Sequence, residues 1–345
     1  MKIVGCDLHT RYQQVAMLDA ETGELVERRL EHESGEARAF YAGLAAPVRV
    51  GIEATGHTRW FERMLGELGH ELWIGDAAEI RASMVRKQKT DARDAAHVLD
   101  LLLSDRFPRI WRPSLEERDL RQLVWHRQKL VWMRNTVGNQ LHALAMGEGV
   151  CRKKKLFTKK GRVELEGLKL GPWASHRRQE LLTMLDQLDA SMKEHNQAVA
   201  EQAELNPAAV LLMTHPGVGP VTSLAFVLTL GPVERFERSK QVVSYLGLNP
   251  REHSSGGRQR LGAISKQGNP MMRSLLVEAG HTAARLDAEL RQDYQRLKLR
   301  RGSGVAKVAI ARKLAVRMYW MLRSPANYAQ LVRMQGSPRG TLVGQ

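Results

Sequence analysis

Five residues near the amino terminus, Ile3-Val4-Gly5-Cys6-Asp7, decide how roughly the first hundred residues of this chain can fold. Their β-branched and small side chains predict a short strand that ends on a carboxylate. Working outward from this strand, similar patterns recur along the chain. The further predicted strands are 14–19, 25–32, 48–53 and 71–74. A Thr22-Gly23 turn joins the second strand to the third.

Helices separate the later strands but not the first three. The predicted helices are one capped by Ser34 and ending near Leu44, one over 57–68, a helical stretch through Arg81 and an amphipathic helix over 90–103. A meander of three strands, followed by strands that alternate with helices, is the order of an RNase H-like α/β domain. We therefore expect residues 1–108 to form a domain of this class.

Residues 109–206 have the pattern of long helices. Ser114 and Glu117 stand at capping-box spacing and predict a helix start. Two apolar seams follow, with the spacing of a coiled coil. They are Leu123, Leu130, Val137 and Leu144, and then Leu181, Leu185, Leu188, Met192, His195 and Val199. These helices could pair with another subunit or form a hairpin within one chain, and the sequence favours neither.

Residues 207–335 are predicted to form a mainly α carboxy-terminal domain, followed by a tail over 336–345. His215-Pro216-Gly217-Val218-Gly219 lies between two apolar helical segments. Such a turn is typical of a helix-hairpin-helix, in which Gly217 and Gly219 would present N–H groups to a phosphate, but a plain turn is equally compatible. Beyond it we expect a loop or hairpin over 247–268 and helices over 270–297 and 305–321.

Composition points to a polyanionic partner. The chain has 345 residues, a hydrophobic fraction of 43% and a formal net charge of +16, and its basic residues are clustered. Nucleic acid is a better match than an anionic membrane, and a basic chain that is merely soluble is the plainer alternative. Two distant cysteines, Cys6 and Cys151, exclude a disulfide framework and a CxxC zinc site. With no long apolar run, we expect a soluble cytoplasmic protein without a membrane partner.

Four acidic residues are candidates for a metal site. Asp7 and Glu53 end the first and fourth strands, and Asp91 and Asp94 stand three apart on one helix among small alanines. Phosphodiester chemistry uses carboxylates from separate elements to hold divalent cations such as Mg²⁺ or Mn²⁺. Taken singly, each residue has a simpler explanation. Asp7 could be a turn former and Glu53 an exposed carboxylate, while Asp91 could be a helix N-cap and Asp94 could be placed to suit the helix dipole. Jointly, the four predict a metal centre.

The motifs resemble those of a known family. The first domain resembles the RuvC-type Holliday-junction resolvase core, and the whole chain resembles the DEDD insertion-sequence transposases of the IS110 family. The amino-terminal resemblance rests on Gly5-Cys6-Asp7, Ile52-Glu53-Ala54-Thr55-Gly56 and Lys89-Thr90-Asp91-Ala92-Arg93-Asp94-Ala95. The carboxy-terminal resemblance rests on His215 to Gly219, Tyr245-Leu246-Gly247-Leu248-Asn249-Pro250-Arg251, Ser254-Ser255-Gly256-Gly257 and Ile264-Ser265-Lys266-Gln267-Gly268-Asn269.

The resemblance implies a mechanism and partners. In this family the DEDD domain binds magnesium and a serine in the carboxy-terminal domain attacks DNA to form a phosphoserine link. The matching residue is Ser255, with Ser254 as the alternative. The family also implies donor and target DNA, a guide (bridge) RNA and a homo-oligomer, dimer or tetramer. Candidate phosphate contacts are Arg86, Lys87, Lys89, Arg152, Lys153, Lys154, Lys155, Lys159 and Lys160.

Three other functions compete with a transposase that excises and integrates its element. A RuvC-like Holliday-junction nuclease would use water in place of serine, and it is the strongest alternative. A non-catalytic DNA- or RNA-binding protein would not need the acidic set. A sugar-kinase-like ATPase could share the first strand, but no adenosine-binding glycine motif follows it.

Overall fold

The computed structural model describes residues 1–84, 90–152, 155–252 and 260–335, without the side chains of Leu261, Met334 and Gln335. The chain divides into two compact units, Met1–Arg112 and Pro113–Gln345. The boundary lies close to the predicted end of the first domain. The predicted middle and carboxy-terminal regions belong together to the second unit.

The first unit contains five strands and four helices among its described residues. They are β1 (Lys2–Leu8), β2 (Tyr12–Asp19), β3 (Leu25–Glu31), α1 (Glu36–Ala42), β4 (Arg49–Glu53), α2 (Arg59–Glu67), β5 (Glu71–Gly75), α3 (Ala77–Ala82) and α4 (Asp91–Leu103). One predicted helix start was wrong by a residue. The N-cap of α1 is Gly35 in the left-handed region (φ 79°), and Ser34 precedes it and accepts a weak hydrogen bond from the Glu36 N–H.

The five strands form one mixed sheet in the order β3-β2-β1-β4-β5. The first three strands are antiparallel, and β4 and β5 are parallel to β1 and β4 respectively. The register pairs Cys6 with Ile52, so that β1 and β4 end side by side at the same edge. This meander with a parallel extension agrees with the predicted RNase H-like domain.

Alternation along β1 assigns its side chains to two faces of the sheet. Val4 and Cys6 are fully buried in a core that includes Tyr41 and Phe61 from α1 and α2. On the opposite face, Ala95 and Leu99 of α4 pack against Ala16 and the partly buried Ile3 and Leu18. Each fully buried large apolar side chain contributes about 1.5–3 kcal/mol, so the sheet is held from both sides.

Gly5 permits an unusually close approach of α4 to the sheet. A Cβ at this position would lie 2.3 Å from the Ala95 carbonyl oxygen and 2.4 Å from the Leu99 nitrogen. Ala95 itself is fully buried. Gly5 in β1 and the small Ala95 side chain in α4 together allow this helix to pack tightly on the sheet.

The second unit is mainly helical. Its elements are α5 (Leu115–Gly147), α6 (Lys159–Glu166), α7 (Pro172–Glu204), α8 (Pro207–Met213), α9 (Pro220–Leu230), α10 (Ser239–Tyr245), β6 (Pro250–Glu252), β7 (Leu261–Ile264), α11 (Pro270–Leu286), α12 (Ala288–Arg301), α13 (Ser303–Arg323) and α14 (Tyr328–Gln335). The predicted capping box at Ser114 and Glu117 is present at the start of α5. The predicted hairpin over 247–268 is the antiparallel pair β6 and β7.

The two long helices, α5 and α7, pack against each other within the chain. Leu130 and Val137 of the predicted first seam are buried, and Leu181 and Leu185 of the second are buried with Val137 in one cluster. Polar contacts join the helices in antiparallel order, from Arg127–Asn196 to Arg134–Asp189 and Arg177–Gln140. Of the two predicted arrangements, the structure has the hairpin within one chain.

One helix predicted as continuous over 270–297 is instead two. Asp287 leaves the helical region (φ −99°, ψ 127°), and its carboxylate accepts a hydrogen bond from the Leu290 N–H at 2.7 Å. An aspartate that caps the next helix in this way ends α11 and starts α12. The helix after it, α13, follows a sharp turn at Gly302 (φ 83°).

Candidate metal centre

Two of the predicted acidic residues lie at the same edge of the sheet. Asp7 lies in β1 directly after Cys6, which is the last residue of β1 that pairs with β4. Glu53 is the last residue of β4. Because neighbouring parallel strands end together, the fold places both carboxylates at one edge. The Asp7 side chain is 23% exposed and the Glu53 side chain 38% exposed.

The other two acidic residues begin α4. Asp91 is its first residue and Asp94 lies one turn later. The simpler explanation of Asp91 as the helix N-cap is wrong, because the hydroxyl of Thr90 accepts the hydrogen bond from the Arg93 N–H. Capping by Thr90 leaves the Asp91 carboxylate available for other contacts.

His9 joins Asp7 to Asp91. Its Nε2 atom lies 3.1 Å from Asp7 Oδ2 and 3.5 Å from Asp91 Oδ2. Ligand atoms of these three residues all lie within 4.8 Å of one another. The sheet edge and the start of α4 therefore meet at a cluster of two carboxylates and one imidazole.

The electrostatics of Asp7 are unfavourable for its charged form. Burial raises the pKa of Asp7 above its ordinary value, the His9 imidazole opposes that rise, and the nearby carboxylates of Asp94 and Asp91 add to it. A carboxylate in these surroundings is stabilised by added positive charge. Asp94 thus belongs to the same electrostatic group.

Tyr12 holds the Asp91 carboxylate in place, and His9 and Arg29 pack against the Tyr12 ring. The Tyr12 hydroxyl donates a hydrogen bond of 2.8 Å to Asp91 Oδ2, and its ring stacks on the His9 ring at 4.7 Å. The Arg29 guanidinium lies 3.7 Å from the Tyr12 ring centroid on the same strand pair. The hydrogen bond to Asp91 is the main cause of a raised pKa at Tyr12.

Glu53 has a different partner. Its Oε1 atom accepts a hydrogen bond of 2.8 Å from the Arg81 guanidinium of α3. It is not in the group of three residues with converging ligand atoms. The structure therefore brings Asp7 and Asp91 together with His9, and Asp94 is close enough to act on Asp7 electrostatically. It places Glu53 at the adjacent strand end in an ion pair.

The cluster has the chemistry of a divalent cation site. Carboxylate oxygens are the ligands that Mg²⁺ prefers, and Mn²⁺ also accepts imidazole nitrogen. Burial first, and then the neighbouring carboxylates of Asp94 and Asp91, raise the pKa of Asp7, and a bound cation would offset both effects. The ligand atoms of these residues and the raised pKa of Asp7 therefore both fit a bound divalent cation.

The residues that were predicted to contact phosphate differ in whether an acidic side chain already pairs with them. Arg152 is paired with Glu164 at 2.9 Å, whereas Lys155, Lys159 and Lys160 are exposed. Several predicted residues lie outside the described part of the chain. They are Arg86, Lys87, Lys89, Lys153, Lys154, Ser254 and Ser255. In sequence the two serines fall between β6 and β7.

The two glycines of the predicted helix-hairpin-helix differ. Gly217 has φ 89°, and a Cβ there would lie 2.5 Å from the Ala283 nitrogen of α11. Packing against α11 is thus a sufficient reason for glycine at 217. Gly219 is exposed and precedes α9, where a Cβ would meet no atom within 4 Å.

Sequence reasoning missed His9 and Tyr12. His9 follows Asp7 by two residues, and an isolated histidine in a turn carries no distinctive spacing. Tyr12 begins β2, directly across the β1–β2 turn. The only available signal was position: a short turn after a strand-end carboxylate returns its residues to the same edge.

Among the residues that the structure describes, no helix is long and apolar enough to cross a membrane. Cys6 is buried and Cys151 exposed, and both are free thiols. Burial is the main cause of a strongly raised pKa at the Cys6 thiol, which keeps that thiol protonated.

Comparisons with known proteins match both parts of the chain. A family model for DEDD transposases matches residues 4–147, and a model described as "Transposase IS116/IS110/IS902 family" matches residues 209–295. A protein of Pseudomonas aeruginosa named "Probable family 20 transposase" is 28% identical, over 93% of this chain and 96% of its own length. The transposase for insertion sequence element IS1111A of Coxiella burnetii is 27% identical, over 95% of this chain and 91% of its own.

A shorter match has a different name. The pilin gene-inverting protein of Moraxella bovis is 38% identical over 74 residues, which is 21% of this chain and 23% of that protein. The two family models together span the cluster at Asp7 and Asp91 and most of the elements from α8 to α12.

Proposed function

Because the chain belongs to the IS110 family of insertion-sequence transposases, we propose that it cuts and rejoins DNA by metal-assisted attack of a serine on phosphodiester bonds. The chain is a DNA transposase, and the proposal concerns how it acts. Its product would be the excised and then integrated insertion sequence. The observation that carries the proposal is the convergence of Asp7, His9 and Asp91 at one sheet edge.

Asp7 and Asp91 are the residues that would hold the cation, with Asp94 beside them and Glu53 at the neighbouring strand end. Bound there, Mg²⁺ or Mn²⁺ would supply Lewis-acid stabilisation of the charge that develops on phosphate oxygens. Tyr12 orients the Asp91 carboxylate through its hydrogen bond. Arg81 holds Glu53 in position and would have to release it for Glu53 to serve as a ligand.

The nucleophile in the proposal is Ser255, with Ser254 as the alternative. The serine Oγ forms a bond to phosphorus, the bond from phosphorus to one deoxyribose oxygen breaks, and the serine proton passes through a base to the leaving oxygen. Attack by the hydroxyl of another strand then reverses these steps and releases the serine. No oxidant or energy source is required, because each phosphodiester is exchanged for another of similar energy.

Partners follow from the same proposal. Donor and target DNA are the substrates, and a guide (bridge) RNA would select them by base pairing while this basic chain binds backbones. Exchanging strands between two duplexes needs several protomers, so a dimer or tetramer acting in the cytoplasm is expected. The relative that inverts a pilin gene is named for a DNA rearrangement, which supports strand exchange over simple cleavage.

Trapping of a covalent adduct tests the mechanism. The protein is incubated with Mg²⁺ and labelled donor DNA, then denatured, and protein-linked label is measured. We expect adduct from the wild type and from one of Ser254→Ala and Ser255→Ala, and none from the other. Asp7→Asn should lose adduct and cleavage by about 10³-fold, since several kcal/mol of charge stabilisation are removed.

Three outcomes would contradict the proposal. Cleavage without any adduct would support the junction nuclease that uses water. Normal recombination by Asp7→Asn, or by the double serine variant, would exclude the metal or the serine respectively. Asp100→Asn, an exposed carboxylate farther along α4, is the matched control and should retain activity.

A further inference from the structure

The turn between α12 and α13 carries a cluster of exposed cations. Lys298, Arg300 and Arg301 form the last turn of α12, and all three are exposed. Gly302 then reverses the chain into α13 with a positive φ of 83°. At a rise of about 1.5 Å per residue, the three charges lie within one helical turn of each other.

The chain supplies no anion to neutralise these cations locally. No aspartate or glutamate follows Asp293 in the sequence, whereas eleven lysines and arginines do. Asp293 itself is already engaged, by Arg296 at 2.8 Å and by Lys313. Within the part of the chain that the structure describes, Lys298, Arg300 and Arg301 form no ion pair.

The basic segment from Arg152 to Arg162 differs from this turn: its described lysines, Lys155, Lys159 and Lys160, are exposed, but its two arginines have acidic partners. Arg152 is paired with Glu164, and Arg162 is paired with both Glu166 and Asp186. Those two arginines therefore stabilise the region around α6. The α12–α13 turn leaves all three of its cations available to a partner.

The helix dipole does not account for three cations. The carboxy terminus of a helix carries the equivalent of about half a negative charge, which one cation already exceeds. Two unit charges at the turn remain in excess. Lys298 and Arg301 are three residues apart and therefore neighbours on the helix surface, so repulsion between these two cations would be relieved by a bound anion.

We propose that the α12–α13 turn, Lys298, Arg300 and Arg301, binds the phosphate backbone of double-stranded DNA. Duplex DNA presents one negative charge per about 1.7 Å of axis, which matches a compact group of unpaired cations. A transposase acts on DNA, so duplex DNA is the polyanion that this chain must engage. Contacts of this kind position a protein on DNA without reading its sequence.

In sequence, the α12–α13 turn is distinct from the residues of the proposed metal and serine chemistry. It lies beyond residue 295, where the match to the second family model ends. Binding can be measured without a divalent cation, so failure of the cleavage mechanism and failure of this proposal are distinguishable.

The test is an equilibrium binding titration of the full chain with a fluorescent duplex in EDTA. The variant is Lys298→Gln/Arg300→Gln/Arg301→Gln. The control is Arg28→Gln/Arg63→Gln/Lys193→Gln, which removes the same charge from three scattered exposed sites. We expect the first variant to bind about tenfold or more weakly, with a slope of log K against log salt shallower by about 2–3, and the control to change little.

Equal weakening of both variants would overturn the proposal, because net charge alone would then explain it. Unchanged duplex binding with weakened binding of an RNA oligonucleotide would overturn the assignment to DNA. A second measurement leaves the protein unaltered: acetylation of lysines with and without duplex. Protection of Lys298 but not of Lys193 supports the surface, and equal labelling of Lys298 in both conditions contradicts it.

Discussion

Asp7 in the first unit and Asp287 in the second are both largely withdrawn from solvent, but their surroundings differ in charge. Asp287 accepts hydrogen bonds from the Leu290 N–H and the Tyr328 hydroxyl and is paired with the buried Arg317 at 3.2 Å. Burial acts to raise its pKa, but these donors together outweigh burial and hold the pKa below its ordinary value.

Asp7 is the opposite case. Burial and two neighbouring carboxylates raise its pKa, and the adjacent His9 imidazole opposes them. The comparison shows that burial of a carboxylate is a poor sign of a functional site. The informative property is whether the partners within the chain outweigh burial, as they do at Asp287 and do not at Asp7.

Replacing Arg317 should give the largest change in stability. Arg317→Met leaves Asp287 buried without its cation, which costs about 3–5 kcal/mol of unfolding free energy. Chemical denaturation of the second unit measures the loss. Arg312→Met, an exposed arginine on the same helix, is the control and should change stability by less than about 0.5 kcal/mol.

A double variant sharpens this prediction. Asp287→Asn/Arg317→Met removes both charges, so it should be more stable than Arg317→Met alone. If the loss of unfolding free energy in the double variant equals the sum of the losses in the two single variants, then the pair is not coupled and Arg317 does not compensate Asp287.

Adding Mg²⁺ should stabilise the first unit. At a concentration about 100-fold above the dissociation constant, binding to the folded state alone adds about 2.7 kcal/mol. Thermal unfolding with Mg²⁺ and with EDTA measures the difference. Asp7→Asn should lose this response and Asp100→Asn should keep it; an equal response in the wild type and Asp7→Asn would place the cation elsewhere.

The two carboxylates should contribute to stability with opposite dependence on pH. The folded pKa of Asp287 is below its ordinary value of 3.8, so its contribution is present above that pH and is lost as pH falls through the folded pKa. The folded pKa of Asp7 is raised, so the fold loses stability as pH rises from that ordinary value through the folded pKa.

Denaturation from about pH 3 to about pH 7 separates these effects. Relative to wild type in EDTA, Asp7→Asn should become more stable as pH rises, and Asp287→Asn less stable. The same sign of change in both variants would remove the distinction between the two sites.

Tyr12→Phe should give the smallest effect. It removes the hydroxyl that orients Asp91 but keeps the ring that stacks on His9. We expect cation affinity to fall by about tenfold, at the weak end for loss of an outer-shell partner, with unchanged folding. Calorimetric titration with Mn²⁺ measures it, and unchanged affinity would show that Tyr12 does not position Asp91.

Much of the first unit follows from sequence because its signals are local. The run Ile3 to Asp7 and the later strand 49–53 carry the pattern of their elements within a few residues. The three-residue spacing of Asp91 and Asp94 predicts that both side chains lie on one face of a helix. The arrangement of the sheet then follows from the order of elements, so the convergence of Asp7 and Asp91 could be anticipated.

The rest depends on contacts between distant residues. Arg162 follows the predicted phosphate contacts Lys159 and Lys160 in sequence, yet Asp186 on another helix neutralises it. Glu53 reads as a metal ligand, yet Arg81 from α3 already holds it. The break at Asp287 has no glycine or proline to mark it, since its cause is a side chain that bonds to the next helix.

Gly5 shows how a residue with no side chain can control chemistry at a distance. Ca²⁺ bonds to oxygen are longer than Mg²⁺ bonds by about 0.3–0.5 Å. Gly5 lets α4 lie directly on β1, and α4 carries Asp91 and Asp94, so this close approach contributes to the distance between their carboxylates and Asp7. If a cation is held there as proposed, the preference of the site for a small ion depends partly on Gly5, a residue that does not contact the ion. An alanine at position 5 would widen the cradle and shift the preference towards the larger ion.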